Sequence, residues 1–180
     1  MNKELVTIST TSENKEYWLN KPFIDNELNL KVSQADILLV PNENFRDTVS
    51  FSFTPEAENI YFYLQKNIPN EMSIEICVGD DFQVLALHAD IKRMGTFLVT
   101  SVGLPILVGL LTSYIDRNYI ADTAPDPIVN NITINQHTTV NTTINVEIEE
   151  NNIISINYEG PAKDFQKYMD NTLKELNVSK

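Results

Sequence analysis

Between Arg93 and Asp116 the chain runs for 22 residues, Met94 to Ile115, without one charged side chain. Any fold must bury that stretch or place it in lipid. Read as one helix it would extend about 33 Å at about 1.5 Å per residue, against a bilayer core of about 30 Å. Half of its residues are Leu, Ile, Val or Phe, each favouring insertion by about 0.3–0.6 kcal/mol, while Gly95, Gly103, Gly109, Pro105 and several hydroxyls subtract from that gain. Pro105 would kink the helix, which a membrane span tolerates and a long soluble helix does not. Small residues at Ser101, Gly109 and Ser113 would let a second helix approach closely. The sequence therefore predicts a single transmembrane helix over 94–115, with Ser101, Gly103, Pro105, Gly109 and Ser113 at its membrane and oligomer contacts. The competing expectation is a helix buried all round in an oligomer or hetero-complex.

Charge narrows the partners. With 25 acidic and 13 basic residues, the formal net charge is −12. A phosphate-binding groove draws its affinity from Lys and Arg, so no nucleic acid is expected. Anionic lipid would not attract this surface, so membrane association has to come from insertion. Lys92 and Arg93 precede the apolar stretch and Arg117 follows it, which favours a single-pass protein with a cytoplasmic N-terminal half. The first residues contain no apolar run followed by a small-residue cleavage site, and nothing there reads as a signal peptide.

Ahead of the apolar stretch the pattern is α/β. "LVTIST" can form a strand, and Trp18, Phe23 and Ile24 are candidates to pack on the domain beyond them. "DILLV" (Asp36–Val40) is a continuous apolar run, as expected of a strand buried on both faces. "TVSFSF" (Thr48–Phe53) alternates, Thr54-Pro55 supplies a cap and a pre-set first turn, and a helix to about Asn67 turns Ile60, Tyr63 and Leu64 inward. "SIEICV" (Ser73–Val78) is a further strand, and "FQVLALHADI" leans to helix. Beyond the apolar stretch, Ile144, Val146 and Ile148 alternate with polar residues, "NN" (Asn151, Asn152) can turn the chain, and "IISINY" returns. Gly160-Pro161 then opens a helix with Phe165, Tyr168, Met169, Leu173 and Leu176 on one face. A ββα tail of that size buries little alone and should dock, most simply on another copy through Phe165, Tyr168, Met169 and Leu173.

Catalytic motifs are missing: no glycine-rich phosphate loop, no G-x-S-x-G, no H-E-x-x-H and no C-x-x-C. His88 and His137 are too far apart in sequence to be argued into one site, and Cys77, the only cysteine, reads as a small core residue. Asp80, Asp81 and Asp90 could gather round a cation, but a turn and a helix cap explain them as well. No metal or cofactor is expected. The loop "VPNENFRD" leaves the end of a buried strand, where α/β units place ligand sites, and offers Glu43, Arg46 and Asp47 as ligand or partner contacts.

The order of hydrophobic helix, polar linker and strand-strand-helix tail ending "IISINYEGPAKDFQKYMDNTL" resembles small accessory components of bacterial conflict and antiviral systems. The resemblance covers Met94 to Leu176 and implies an adaptor or assembly role, with no catalytic residue carried over. The expectation is therefore an acidic α/β domain (1–93), a transmembrane helix (94–115), an Asn/Thr-rich linker (116–143) and a ββα module (144–180). Its function would be that of a non-enzymatic, membrane-tethered adaptor or sensor that forms homo-oligomers and docks a partner protein. The alternatives are a membrane-disrupting effector and a subunit whose apolar helix is buried in a complex.

Overall fold

The computed structural model describes residues 5–45, 49–79, 83–84, 91–120, 138–149 and 152–177. Met94 to Ile115 is not one helix. Its first part belongs to a ten-residue strand, Ile91–Thr100 (β7), Ser101 to Gly103 turn the chain, and only Leu104–Ile115 (α4) is helical. Twelve helical residues reach about 18 Å at 1.5 Å each, far short of a bilayer core. Among the described residues no helix is long and apolar enough to cross a membrane, which overturns the single-pass span and the membrane location built on it.

The elements on either side are Val6–Thr11 (β1), Lys15–Leu19 (α1), Asn26–Gln34 (α2), Ile37–Val40 (β2), Asn42–Phe45 (β3), Val49–Phe53 (β4), Ala57–Asn67 (α3), Ile74–Ile76 (β5) and Gln83–Val84 (β6) before β7. Thr139–Glu149 (β8), Asn152–Pro161 (β9) and Phe165–Glu175 (α5) come after α4. Six strands make one mixed sheet in the order β1-β9-β8-β7-β2-β5, and β3, β4 and β6 make a second, smaller one. The large sheet takes strands from residues 6 to 161, so the expected α/β front domain, linker and ββα module share a single sheet. Thr139–Thr143, expected in the linker, is strand.

β7 is central because both of its faces are covered. Phe97 and Val99 point into a core closed by Ile60 and Leu64 of α3, Leu107 and Leu111 of α4, and Phe165 and Met169 of α5. Leu98 points the other way, into a smaller core under α1 and α2 with Trp18, Val32, Leu38, Val40 and Cys77. A strand covered on both sides carries no polar alternation, so its sequence resembles that of a buried helix. On the larger-core face, cross-strand partners line up through the whole sheet: Ile76, Leu39, Phe97, Ile144, Ile156 and Ile8. Ile8, at the far end of that row, is 43% exposed.

Other corrections have local causes. Pro105 sits in the first turn of α4, where its missing N–H costs nothing, and so starts the helix instead of kinking it. Gly103 occupies the N-cap position, buried against Val99. Gly95 takes a φ of +109° where the β7–β8 register shifts, and a Cβ there would lie 2.9 Å from Leu39 Cδ1. Gln83–Val84 pairs in parallel with β4 as strand, against the expected helix, and residues 85–90 lie outside the described residues. Thr54 places its carbonyl on the Ala57 amide at 3.1 Å, but its hydroxyl is buried without a hydrogen bond and caps nothing.

Candidate functional site at the polar half of the sheet

β8 puts Val140, Ile144 and Val146 into the larger core, so alternation carries Asn141, Thr143 and Asn145 to the opposite face. β9 and β1 continue that face. Thr7, Asn157 and Thr143 form one cross-strand row, with Asn157 Nδ2 donating to Thr143 Oγ1 at 2.9 Å, and Ser9, Ser155 and Asn145 form the next. Where β7 and β2 contribute Leu98 and Leu38 to this side of the sheet, α1 and α2 cover it; on the half made by β1, β9 and β8 these two rows carry short hydroxyl and amide side chains, flanked by buried Ile153 with Glu147 on one side and by Glu159 on the other.

Asn145 stands on the boundary, paired with Ser155 on one side and Leu98 on the other. It is 2% exposed. Its Nδ2 donates to Glu13 Oε2 at 3.3 Å, and its Oδ1 is buried with no hydrogen-bond partner. Glu13 immediately precedes Asn14, which caps α1 by accepting the Tyr17 amide at 2.7 Å. Burial, and then the negative charge of Glu43, hold the Glu13 carboxyl above the usual carboxylate range.

Glu43 is the one expected contact of the 40–47 loop that can be placed, since Arg46 and Asp47 lie outside the described residues. It projects from β3 to accept hydrogen bonds from the Tyr17 hydroxyl and from Lys21, whose Nζ is 2.6 Å from Oε1. Lys21 also rests 3.6 Å from the Tyr17 ring centroid. Burial works against the Lys21 ammonium, but its hydrogen bonds to Glu43 and Tyr17 outweigh that and raise its pKa. The bond to Glu43 raises the Tyr17 phenol. Lys15 crosses to the end of α2, donating to the carbonyls of Ala35 at 2.7 Å and Ser33 at 3.2 Å. These contacts fix α1 at the border of the polar field.

Lys21 and Tyr17 are spent on Glu43, and the pKa of each is moved further from neutral pH, which keeps the ammonium charged and the phenol protonated. Burial pushes the Cys77 thiol up to about 12, so it stays protonated at neutral pH and is a poor nucleophile. Among the described residues no three of His, Cys, Asp and Glu are grouped to hold a metal ion. His88, His137, Asp80, Asp81 and Asp90 lie outside the described residues.

The other expected contacts are dispersed. Ser101 is in the turn before α4 and donates its amide to Glu147 O at 3.1 Å. Gly109 and Ser113 face solvent on α4, with the Ser113 hydroxyl returned to the Gly109 carbonyl at 3.0 Å, while Leu104, Leu107 and Leu111 turn inward. Phe165, Met169 and Leu173 are buried in the chain's own larger core, and Tyr168 packs against it beside Tyr158. The apolar face expected to meet another copy is thus filled from within. Glu13, Tyr17, Lys21 and Asn145 were not singled out in the sequence; the one signal was amide and hydroxyl residues alternating with Val140, Ile144 and Val146 along β8.

Comparison with known proteins gives no match: no family model, no curated protein and no solved structure is similar to this chain.

Proposed function

We propose that the chain is a non-enzymatic accessory component that docks a partner protein on the polar half of its large sheet. The observation that carries this is the field made by Thr7, Ser9, Thr143, Ser155 and Asn157, with buried Asn145 at its border. It consists of short side chains with donors and acceptors, held on strands, and joined at its border to the Glu13–Asn145 and Lys21–Glu43 contacts. Small-molecule sites are concave and mostly apolar, whereas a strand-borne polar field matches the hydrogen-bonding rim chemistry of a protein interface. The net charge of −12 favours a partner with a basic or neutral contact surface.

A photoreactive amino acid placed at Thr143 in the full chain, expressed in its native cells, tests this. One defined protein adduct is expected, reduced at least tenfold by Asn157→Lys and retained when the same probe-bearing chain carries Phe62→Lys on the exposed side of α3. An adduct pattern indifferent to Asn157→Lys, or none, would overturn the docking role.

A further inference from the structure

Among the described residues β1 is left at an edge of the large sheet, and its composition is unusual for an edge. Natural edges are blunted by Lys, Pro, bulges or covering elements. "VTISTT" has no charge and no proline, and its pairing with β9 runs from Val6 to Thr11 with no register shift. The amide of Glu159 donates to the Leu5 carbonyl at 3.0 Å. In an antiparallel pair the residues bonded to the neighbour alternate, so Leu5, Thr7, Ser9 and Thr11 turn their backbone groups toward β9. The N–H and C=O groups of Val6, Ile8 and Thr10 consequently point away from the sheet. Ile8, which also ends the row running from Ile76 through Phe97 to Ile156, is 43% exposed there.

We propose that β1 pairs antiparallel with β1 of a second copy, centred on Ile8, making one continuous sheet of two chains. Two observations, the two-fold register and the continued apolar row, select a second copy. The two-fold register sets Ile8 against Ile8 and Val6 against Thr10 on one face and Thr7 against Ser9 on the other, so no charge meets a like charge and the hydroxyls can bond across the joint. Each copy carries −12, which opposes association and keeps it weak, and this six-residue edge adds no like-charge contact of its own. The joint also extends the row of apolar partners from one chain into the other through Ile156, Ile8 and their mates. It would add about six main-chain hydrogen bonds and bury less than about 1,200 Å², which places it among reversible, concentration-dependent dimers.

Thr7 and Ser9 border both surfaces, but self-pairing is carried by the β1 backbone and Ile8 and docking is read at Thr143 and Asn157, so the two can fail separately. Sedimentation equilibrium of the full chain over a wide concentration range should show monomer and dimer. Ile8→Lys, which sets two ammonium groups opposite each other on an exposed position, should weaken the dimer at least tenfold with unchanged thermal unfolding. Ile8→Cys should form a disulfide dimer under mild oxidation, because residues bonded across an antiparallel pair have Cα atoms about 5.5 Å apart, within disulfide range. Thr10→Cys, which faces Val6 of the other copy, should cross-link far less; buried Cys77 leaves the new thiol as the reactive one in each variant. A wild-type monomer at all concentrations, a dimer insensitive to Ile8→Lys, or equal cross-linking at 8 and 10 would overturn the proposal. A monomer that still gave the Thr143 adduct would overturn self-pairing alone, and an intact dimer without the adduct would remove docking alone.

Discussion

Glu13 shows what a single position contributes. Its carboxyl is half-buried, near Glu43 and bonded to Asn145, and its raised pKa means that the folded chain favours the protonated form more than the unfolded chain does. A group whose folded pKa is raised favours folding below its unfolded value, here about 4.5, and that contribution is lost as pH rises through the folded pKa. At neutral pH the ionised Glu13 therefore works against the fold. Glu13→Gln keeps an acceptor for Asn145 Nδ2 and removes the charge, so the variant should melt at higher temperature than the wild type at pH 7. The gap should close as pH falls below about 4.5, where both side chains are neutral. A gap independent of pH would show that the charge is not what strains this corner. Neither Glu13 nor Asn145 was legible as a contact, because 132 residues separate them in the chain and only the sheet brings them together.

At the scale of the element, α4 is amphipathic in a way its uniformly uncharged sequence conceals. Leu104, Leu107, Val108 and Leu111 are buried, while Gly109 and Ser113 look outward. A Cβ added at Gly109 would meet nothing within 4 Å. Gly109→Ala should accordingly stabilise the chain by about 0.5–1 kcal/mol, since alanine restricts the unfolded chain and favours helix without a clash. Urea unfolding checks this; a destabilised variant would show that something packs on that glycine. Gly103 is the opposite case, because its Cβ would lie 2.8 Å from Val99 Cγ2. Both glycines sit in one apolar string, and only the folded surroundings tell them apart. The strands β2, β4 and β9 and the second half of β8 were legible because each has a bounded run with a matching apolar pattern. The Met94–Ile115 stretch was not, because a strand buried on both faces, a tight turn and a mostly buried helix succeed one another without a charged residue between them.

For the whole molecule the consequence is cooperativity. β1, β9, β8, β7, β2 and β5 draw on both ends of the sequence, and the larger core mixes side chains from α3, α4 and α5. α5 packs against α4 and β9 and supplies Phe165, Met169 and Leu173 to the larger core, so its loss would open that core and no part of the sheet is expected to stay folded without it. Denaturant unfolding monitored by Trp18 fluorescence, which reports the smaller core, and by far-ultraviolet circular dichroism should give coincident single transitions. Two separated transitions would indicate independently folding front and tail units.

Composition and pattern by themselves determined a strongly acidic α/β chain, most of its strands, the helix over 57–67 and the apolar face of α5. These are local properties: net charge, a period of two or of 3.6, and the chemistry of caps and turns. Tertiary structure alone decided that the apolar stretch divides at Ser101–Gly103, that α5 covers its own sheet, that Asn145 meets Glu13, and that, among the described residues, β1 is left at an edge. Each of those depends on which distant residues supply the other side of a contact, and an uncharged run will bury itself as strand or helix according to the partners it finds.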